Sequence, residues 1–282
     1  MVIDSGSRDG TPEAAGRAGA TVLRIEQAEF DHGETRNRGA AALPRCDALV
    51  FLVQDAVPQG ADCLATLARA ALAPGVGASS ARQVAPPEAG FLAASTVSAS
   101  PFAGSEPRRT GPLPRAQLER LTPEEWRGLL LLDDVACAVR EPLFRAVGFR
   151  RTPHAEDALL AYDLLWGGWA LQHEPAALVE HGHAYDAASV RRRYFDDALF
   201  FRKVLGLRVR PDLLSVLKGV NAELRRDRRW LAEHKEAAGN GALRAARELR
   251  WTQVLAQREG SRGPLGTRPE PRPVPSPHET GD

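Results

Sequence analysis

The sequence is poor in cysteine, in net charge and in long apolar runs, and each shortage excludes something. Of 282 residues only Cys46, Cys63 and Cys137 are cysteines. They form no CxxC pair and no even set, so no disulfide framework is expected, and reduced thiols in a cytoplasmic protein are. The 37 Lys/Arg nearly balance the 36 Asp/Glu, and a net charge of +1 gives no global case for a nucleic-acid partner. The longest apolar runs are about six residues, against the roughly 20 that span a bilayer. No basic start leads into an apolar core, so no secretory signal is expected. The loop Asp4–Thr11 is neither a GxGxxG fingerprint nor a Walker loop, which argues against nicotinamide and P-loop chemistry. With 43% apolar and 26% charged residues, the chain is an ordinary soluble one, long enough for one large domain or two fused smaller ones.

What is present alternates. Met1-Val2-Ile3 reads as the end of a strand, and Thr11-Pro12-Glu13 opens a short helix. Thr21–Ile25 is β-rich. Thr35 can cap a helix through Ala42. Ala48–Val53 is a continuous apolar run, as expected of a central strand covered on both faces. It ends in Gln54-Asp55, with Pro58-Gln59-Gly60 closing the turn. Asp62 opens a helix with Leu64, Leu67, Ala68 and Ala71 on one face. Val76–Val84 is a further strand. Residues 86–111 read as irregular. Thr122 and Glu125 make a capping box. Val135–Val139 is a short buried strand, Pro142–Val147 a helix stopped by Gly148, and Glu156-Asp157 opens a longer helix. Ala176–Val179 leads into Glu180-His181-Gly182-His183. This strand–helix alternation predicts an α/β fold with a mostly parallel sheet flanked by helices.

Acid and imidazole groups fall at element ends: Asp4, Asp55, Glu156-Asp157, and the pair His181 and His183. An acid beyond a strand's carboxyl end is well placed to hold a metal ion and a phosphate, because ligands of open α/β sheets collect there. Two histidines two apart face one side of an extended segment and suit a shared ligand. Each also has an ordinary reading: Asp55 as a turn residue, Asp157 as a helix cap, the histidines as core or surface groups.

Together and in this order they resemble the family-2 glycosyltransferases, in their rhamnosyltransferase-like branch. Val2-Ile3-Asp4-Ser5-Gly6-Ser7-Arg8-Asp9-Gly10-Thr11 is similar to that family's second-strand motif. The stretch Glu29–Ala41 (EFDHGETRNRGAA) is similar to its most distinctive segment. Phe51–Ala56 resembles its metal-binding DxD element, Glu156-Asp157 its acceptor-side ED motif, and His181–Tyr185 its HxHxY segment. The resemblance implies a GT-A-like (Rossmann-like) fold and an inverting enzyme. Such an enzyme moves a sugar, rhamnose among the candidates, from a nucleotide-diphosphate sugar to a cell-surface glycan or lipid-linked acceptor. It implies Asp157 as general base. Asp55, His181 and His183 are implied as ligands of Mg²⁺ or Mn²⁺. Asp4, Ser5, Asp9, Arg36 and Gln54 are implied on the nucleotide-sugar, with Asp4 at the base or ribose. The alternative is a truncated relative that binds a nucleotide or a partner protein without turnover.

On this reading residues 1–95 form the nucleotide-sugar half, with the family's first strand missing, and 96–190 the acceptor half. A basic helical extension, 191–260, follows, then a Pro-rich tail, 261–282, expected to be disordered. From Arg191 to Arg262 there are 18 Lys/Arg against 9 Asp/Glu. That segment has two readings: peripheral contact with the inner face of the cell membrane, or packing of its apolar stripe on the catalytic domain or on a second subunit of a homodimer.

Overall fold

The computed structural model describes residues 1–182, 186–234 and 242–280. Its first half runs β1 Val2–Asp4, α1 Thr11–Arg17, β2 Val22–Arg24, α2 His32–Ala42, β3 Ala48–Leu52, β4 Val57–Gln59, α3 Cys63–Ala71 and β5 Val76–Val84. Then come α4 Phe91–Ser98, β6 Arg108–Thr110, α5 Arg115–Arg120, α6 Pro123–Leu129, β7 Ala136–Arg140, α7 Glu141–Val147, α8 Glu156–Trp166 and β8 Ala170–Glu180. The helices α9 Ala187–Phe200, α10 Leu213–Glu233, α11 Ala242–Gly260 and the short α12 Pro277–Thr280 complete it.

The main sheet has the order β3-β7-β5-β8-β4, with β6 also on β8. It is mixed, not mostly parallel. Strands β5 and β8 pair in parallel, while β7 lies antiparallel to both β3 and β5. Strands β3, β5 and β8 therefore run one way, as their helical crossovers require, and β7 is inserted against them. Alternation along the chain reports on successive strands and is blind to a later strand that slots between them.

Strand β3 is the sheet's edge, not its centre. Its partner is β7 alone among the described strands, and Phe51 is half-buried against the rings of Phe144 and Phe149 at 4.8 and 5.3 Å. Strands β1 and β2 pair in parallel as a separate two-stranded sheet. The main core lies between the sheet and α6, α7 and α8, around Trp126, Leu143, Leu160, Leu164 and Trp169.

Three further expectations change. Helix α2 is capped by Asp31, whose carboxylate accepts from the Glu34 N–H at 2.9 Å, while Thr35 is buried inside the first turn. The stretch 86–111 contains α4 and β6, held by contacts with β8 and the C-terminal helices that composition does not show. The Pro-rich tail is not disordered over 261–280. Residues 264–276 lie as an extended strap along α8, and a last short helical turn follows. Tyr162 Oη donates to the Pro269 carbonyl at 3.0 Å, Trp169 Nε1 to that of Pro275 at 2.7 Å, and the Arg272 N–H donates to Asp163 Oδ1 at 2.8 Å. Proline carries no N–H to satisfy and prefers extended backbone. A proline-rich segment can therefore cover a core surface as long as its carbonyls find donors.

Deleting 264–280 strips those partners from Tyr162, Trp169 and Asp163, at about 1 kcal/mol each or somewhat more. The expected loss is about 2–4 kcal/mol in urea unfolding; an unchanged midpoint would show that the strap is not part of the folded core.

Candidate active site

The strand directions decide which side chains meet. The carboxyl ends of β3, β5 and β8 lie at one end of the sheet, and antiparallel β7 begins there: the Val53 N–H donates to the Val135 carbonyl at 3.1 Å. Asp55 follows β3, Gln83 is near the end of β5, His181 follows β8, and Asp133-Asp134 precede β7. A polar chain joins them. Gln83 Nε2 donates to Asp133 Oδ2 at 2.8 Å, so its Oε1 accepts from His181 Nδ1 at 3.2 Å. That puts a proton on Nδ1 and turns Nε2 toward Asp55 Oδ1, 3.6 Å away. Gln83 and His181 are each only 6% exposed, so the amide and the imidazole have little freedom to reorient.

Helix α8 supplies the other acids. Its cap, Ala155, has φ 59°, and it is the one non-glycine residue at positive φ among those described. The left-handed region costs a residue with a Cβ roughly 1–2 kcal/mol and recurs at functional sites. Here it turns Glu156-Asp157 onto the sheet end. Carboxylate oxygens of Asp133, Asp134 and Asp157 lie within 4.8 Å of one another. Burial, then the neighbouring carboxylates, push Asp157 well above the usual carboxylate range. Burial also pushes Asp134 up, to about 7, against the pull of Arg36. Asp134 and Asp157, sharing one buried cluster, titrate as a coupled pair.

Helix α2 explains why its sequence is distinctive. Gly33 lies against the backbone of Arg150: an added Cβ would sit 2.9 Å from that carbonyl oxygen. Asn37 clamps Phe149 through both backbone groups, each at 2.9 Å. Gly39 rides on Ile3, so α2 is fastened to β1 on one side and to the turn before α8 on the other. Arg36 is thereby held between Asp134 at 2.8 Å and Glu156 at 2.6 Å, with the Phe149 ring at 5.5 Å. The two acids hold the guanidinium, because a buried cluster of carboxylates needs a cation.

Asp55, Asp157 and His181 thus converge. Asp4 and Asp9 are engaged within their own loop. Asp4 accepts from the Gly6 and Ser7 N–H groups at 3.2 Å each, and Asp9 from the Thr11 N–H at 3.0 Å, which shapes the loop that contains Ser5. Gln54 is exposed in the turn after β3. His183 lies outside the described residues. Gln83, Asp133 and Asp134 went unread in the sequence. The signal for the acids was an adjacent pair just before a buried strand; for Gln83, an amide inside an otherwise apolar and small-residue strand.

The sheet, its helical layers and the site at the strand ends define a GT-A glycosyltransferase fold. A mannosyltransferase from Pyrobaculum calidifontis, solved with GDP-Man and Mn²⁺, shares it at a TM-score of 0.50 and 17% identity, over 92% of this chain and 75% of that one. In sequence the chain is rhamnosyltransferase-like. It is 30% identical over 203 residues to the O-antigen chain rhamnosyltransferase RfbN of Salmonella typhimurium, covering 71% of this chain and 62% of that protein. It is 29% identical to WbaN of Salmonella anatum, covering 71% and 61%. It therefore spans a little over three fifths of these relatives' length. No protein-family model matches the chain.

Proposed function

We propose that the chain transfers a sugar, rhamnose first among the candidates, from a nucleoside diphosphate to a hydroxyl of a cell-surface glycan or its lipid-linked precursor, with inversion at the anomeric carbon. The observation that carries this is the meeting of Asp157 and its acid neighbours with Asp55 and His181 at one sheet end, joined through Gln83. Asp157 takes the acceptor proton as the acceptor oxygen bonds to the anomeric carbon and the bond to the diphosphate breaks on the opposite side. Burial and then three acid neighbours, Asp134, Asp133 and Glu156, raise its basicity, and Arg36 supplies the cluster's countercharge. On this reading Asp4, Ser5, Asp9 and Gln54, in the loops after β1 and β3, contact the nucleotide-sugar, since nucleotides bind at strand carboxyl ends in such sheets.

Asp55 and His181 fit a divalent ion. A carboxylate oxygen and an imidazole nitrogen stand 3.6 Å apart, and the ring is braced at its other nitrogen by Gln83, as metal-binding histidines usually are. Mg²⁺ or Mn²⁺ there would neutralise the charge growing on the leaving diphosphate. Gln83→Leu removes the brace and should weaken Mn²⁺ binding about 10–100-fold, read as free Mn²⁺ by electron paramagnetic resonance. Unchanged affinity would leave Gln83 a packing residue.

The test of the whole reading is turnover. The chain is incubated with nucleotide-linked rhamnose, mannose or glucose, a divalent ion and glycan acceptors. One donor should release nucleoside diphosphate only when acceptor is present, and the product's anomeric configuration should be opposite to the donor's. Absence of turnover with every donor would favour a binding role, and retained configuration would remove Asp157 as base.

A further inference from the structure

Helix α10 has two different faces. At about 100° per residue, its inner line is Val216, Val220, Asp227 and Leu231, all buried against the neighbouring helices. Its outer line is Leu214, Leu217, Lys218, Asn221, Arg225 and Arg228, all exposed. Leu213, Leu214 and Leu217 are 66%, 59% and 56% exposed, a cluster a soluble helix ordinarily turns inward. Arg225, Arg228 and Arg229 line one shallow hollow further along. Two of the three acids of this helix point the other way, Glu223 pairing with Arg226 at 2.6 Å and Asp227 with Arg250 at 2.9 Å; the third, Glu233, is exposed at the helix's far end, one turn beyond Arg229. The outward face is thus leucine at one end and arginine at the other.

No described helix is long and apolar enough to cross a membrane. A leucine cluster beside a basic run on one face is instead the make-up of a helix that lies in a lipid–water interface. We propose that this face of α10 docks on an anionic membrane surface, with the leucines at the headgroup–acyl boundary and the arginines on lipid phosphates. A second copy of the chain fits less well. Three leucines bare on the order of 300 Å², short of the roughly 800 Å² per partner of a stable dimer, and a self-complementary contact would set arginines against arginines. The docked face is rigidly tied to the site. Asp227 accepts from Ser95 Oγ of α4 at 2.6 Å, fully buried, and α4 follows the strand that carries Gln83. The docking stands on α10 alone and does not depend on sugar transfer.

The full chain is sedimented with vesicles of phosphatidylcholine, with and without phosphatidylglycerol. Binding is expected only with phosphatidylglycerol, falling at least tenfold between about 0.05 and about 0.3 M salt. R225E/R228E/R229E should weaken it at least about a hundredfold, since each basic side chain near the surface is worth about fivefold in affinity and three such factors multiply. L214S/L217S should weaken it about tenfold, and Leu255→Ser, exposed on α11, should not. Equal binding to neutral vesicles, or no binding by the parent chain, would overturn the proposal whatever the variants do. So would a parental dimer that L214S/L217S converts to monomer with vesicle binding intact.

Discussion

Replacing Asp157 with Asn should lower kcat about 10²–10⁴-fold, the usual contribution of a positioned base, while the KM for the donor changes little. The side chain keeps its shape and loses only its ability to take a proton, so the deficit belongs in the chemical step. The pH profile gives an independent readout. Because burial and like charge raise Asp157, the parent's kcat should climb with pH only above the usual carboxylate range. In D157N that limb should be lost. Stability moves oppositely. A carboxyl with a raised folded pKa favours the fold fully below its unfolded value near 3.8, and this is lost as pH rises through about 7. D157N removes one member of the repelling set, so in urea it should resist unfolding better than the parent above about pH 8. If transfer survives D157N undiminished, the base lies elsewhere.

Asp55→Asn should weaken Mn²⁺ binding about a hundredfold, with transfer falling at least as far at fixed metal; the figure is set against the 10–100-fold typical of losing a mere supporting partner. An amide oxygen remains, but the anionic charge that holds a divalent ion is gone. Free Mn²⁺ measured by paramagnetic resonance separates this from a fault in chemistry. The alternative holder of a cation is the trio Asp133, Asp134 and Asp157. If D55N leaves affinity unchanged and D157N abolishes it, the ion sits among those acids and the division between base and ligand must be redrawn.

Much of the site was legible, for a physical reason. Strand ends are marked locally, by an apolar run that stops at a polar residue, and helix starts by acids in the first turn, so Asp55 and His181 on the one signal and Asp157 on the other could be picked out one at a time. What could not be read was their wiring. Gln83 acquires meaning only when β5 and β8 pair in parallel and bring His181 beside it, and Asp133-Asp134 only when β7 inserts antiparallel next to β3. Arg36 was noticed but its acid partners were not, since nothing near it in sequence shows Asp134, which precedes β7, or Glu156, which α8 delivers across 120 residues. The strap misled for the opposite reason. Its composition lacks a core of its own, and the core it completes is distant in sequence.

That strap also bears on how the molecule comes into being. A chain emerging from the ribosome has made every strand and every helix of the catalytic sheet well before residues 264–275 exist. Until then Trp169 Nε1, Tyr162 Oη and an oxygen of Asp163 lack the partners they finally take. Co-translational folding can thus assemble the sheet end where the acids meet, yet it cannot seal the opposite flank of α8. Docking of the strap is a late event, and a nascent chain stalled near residue 260 would carry a formed site on an unfinished body.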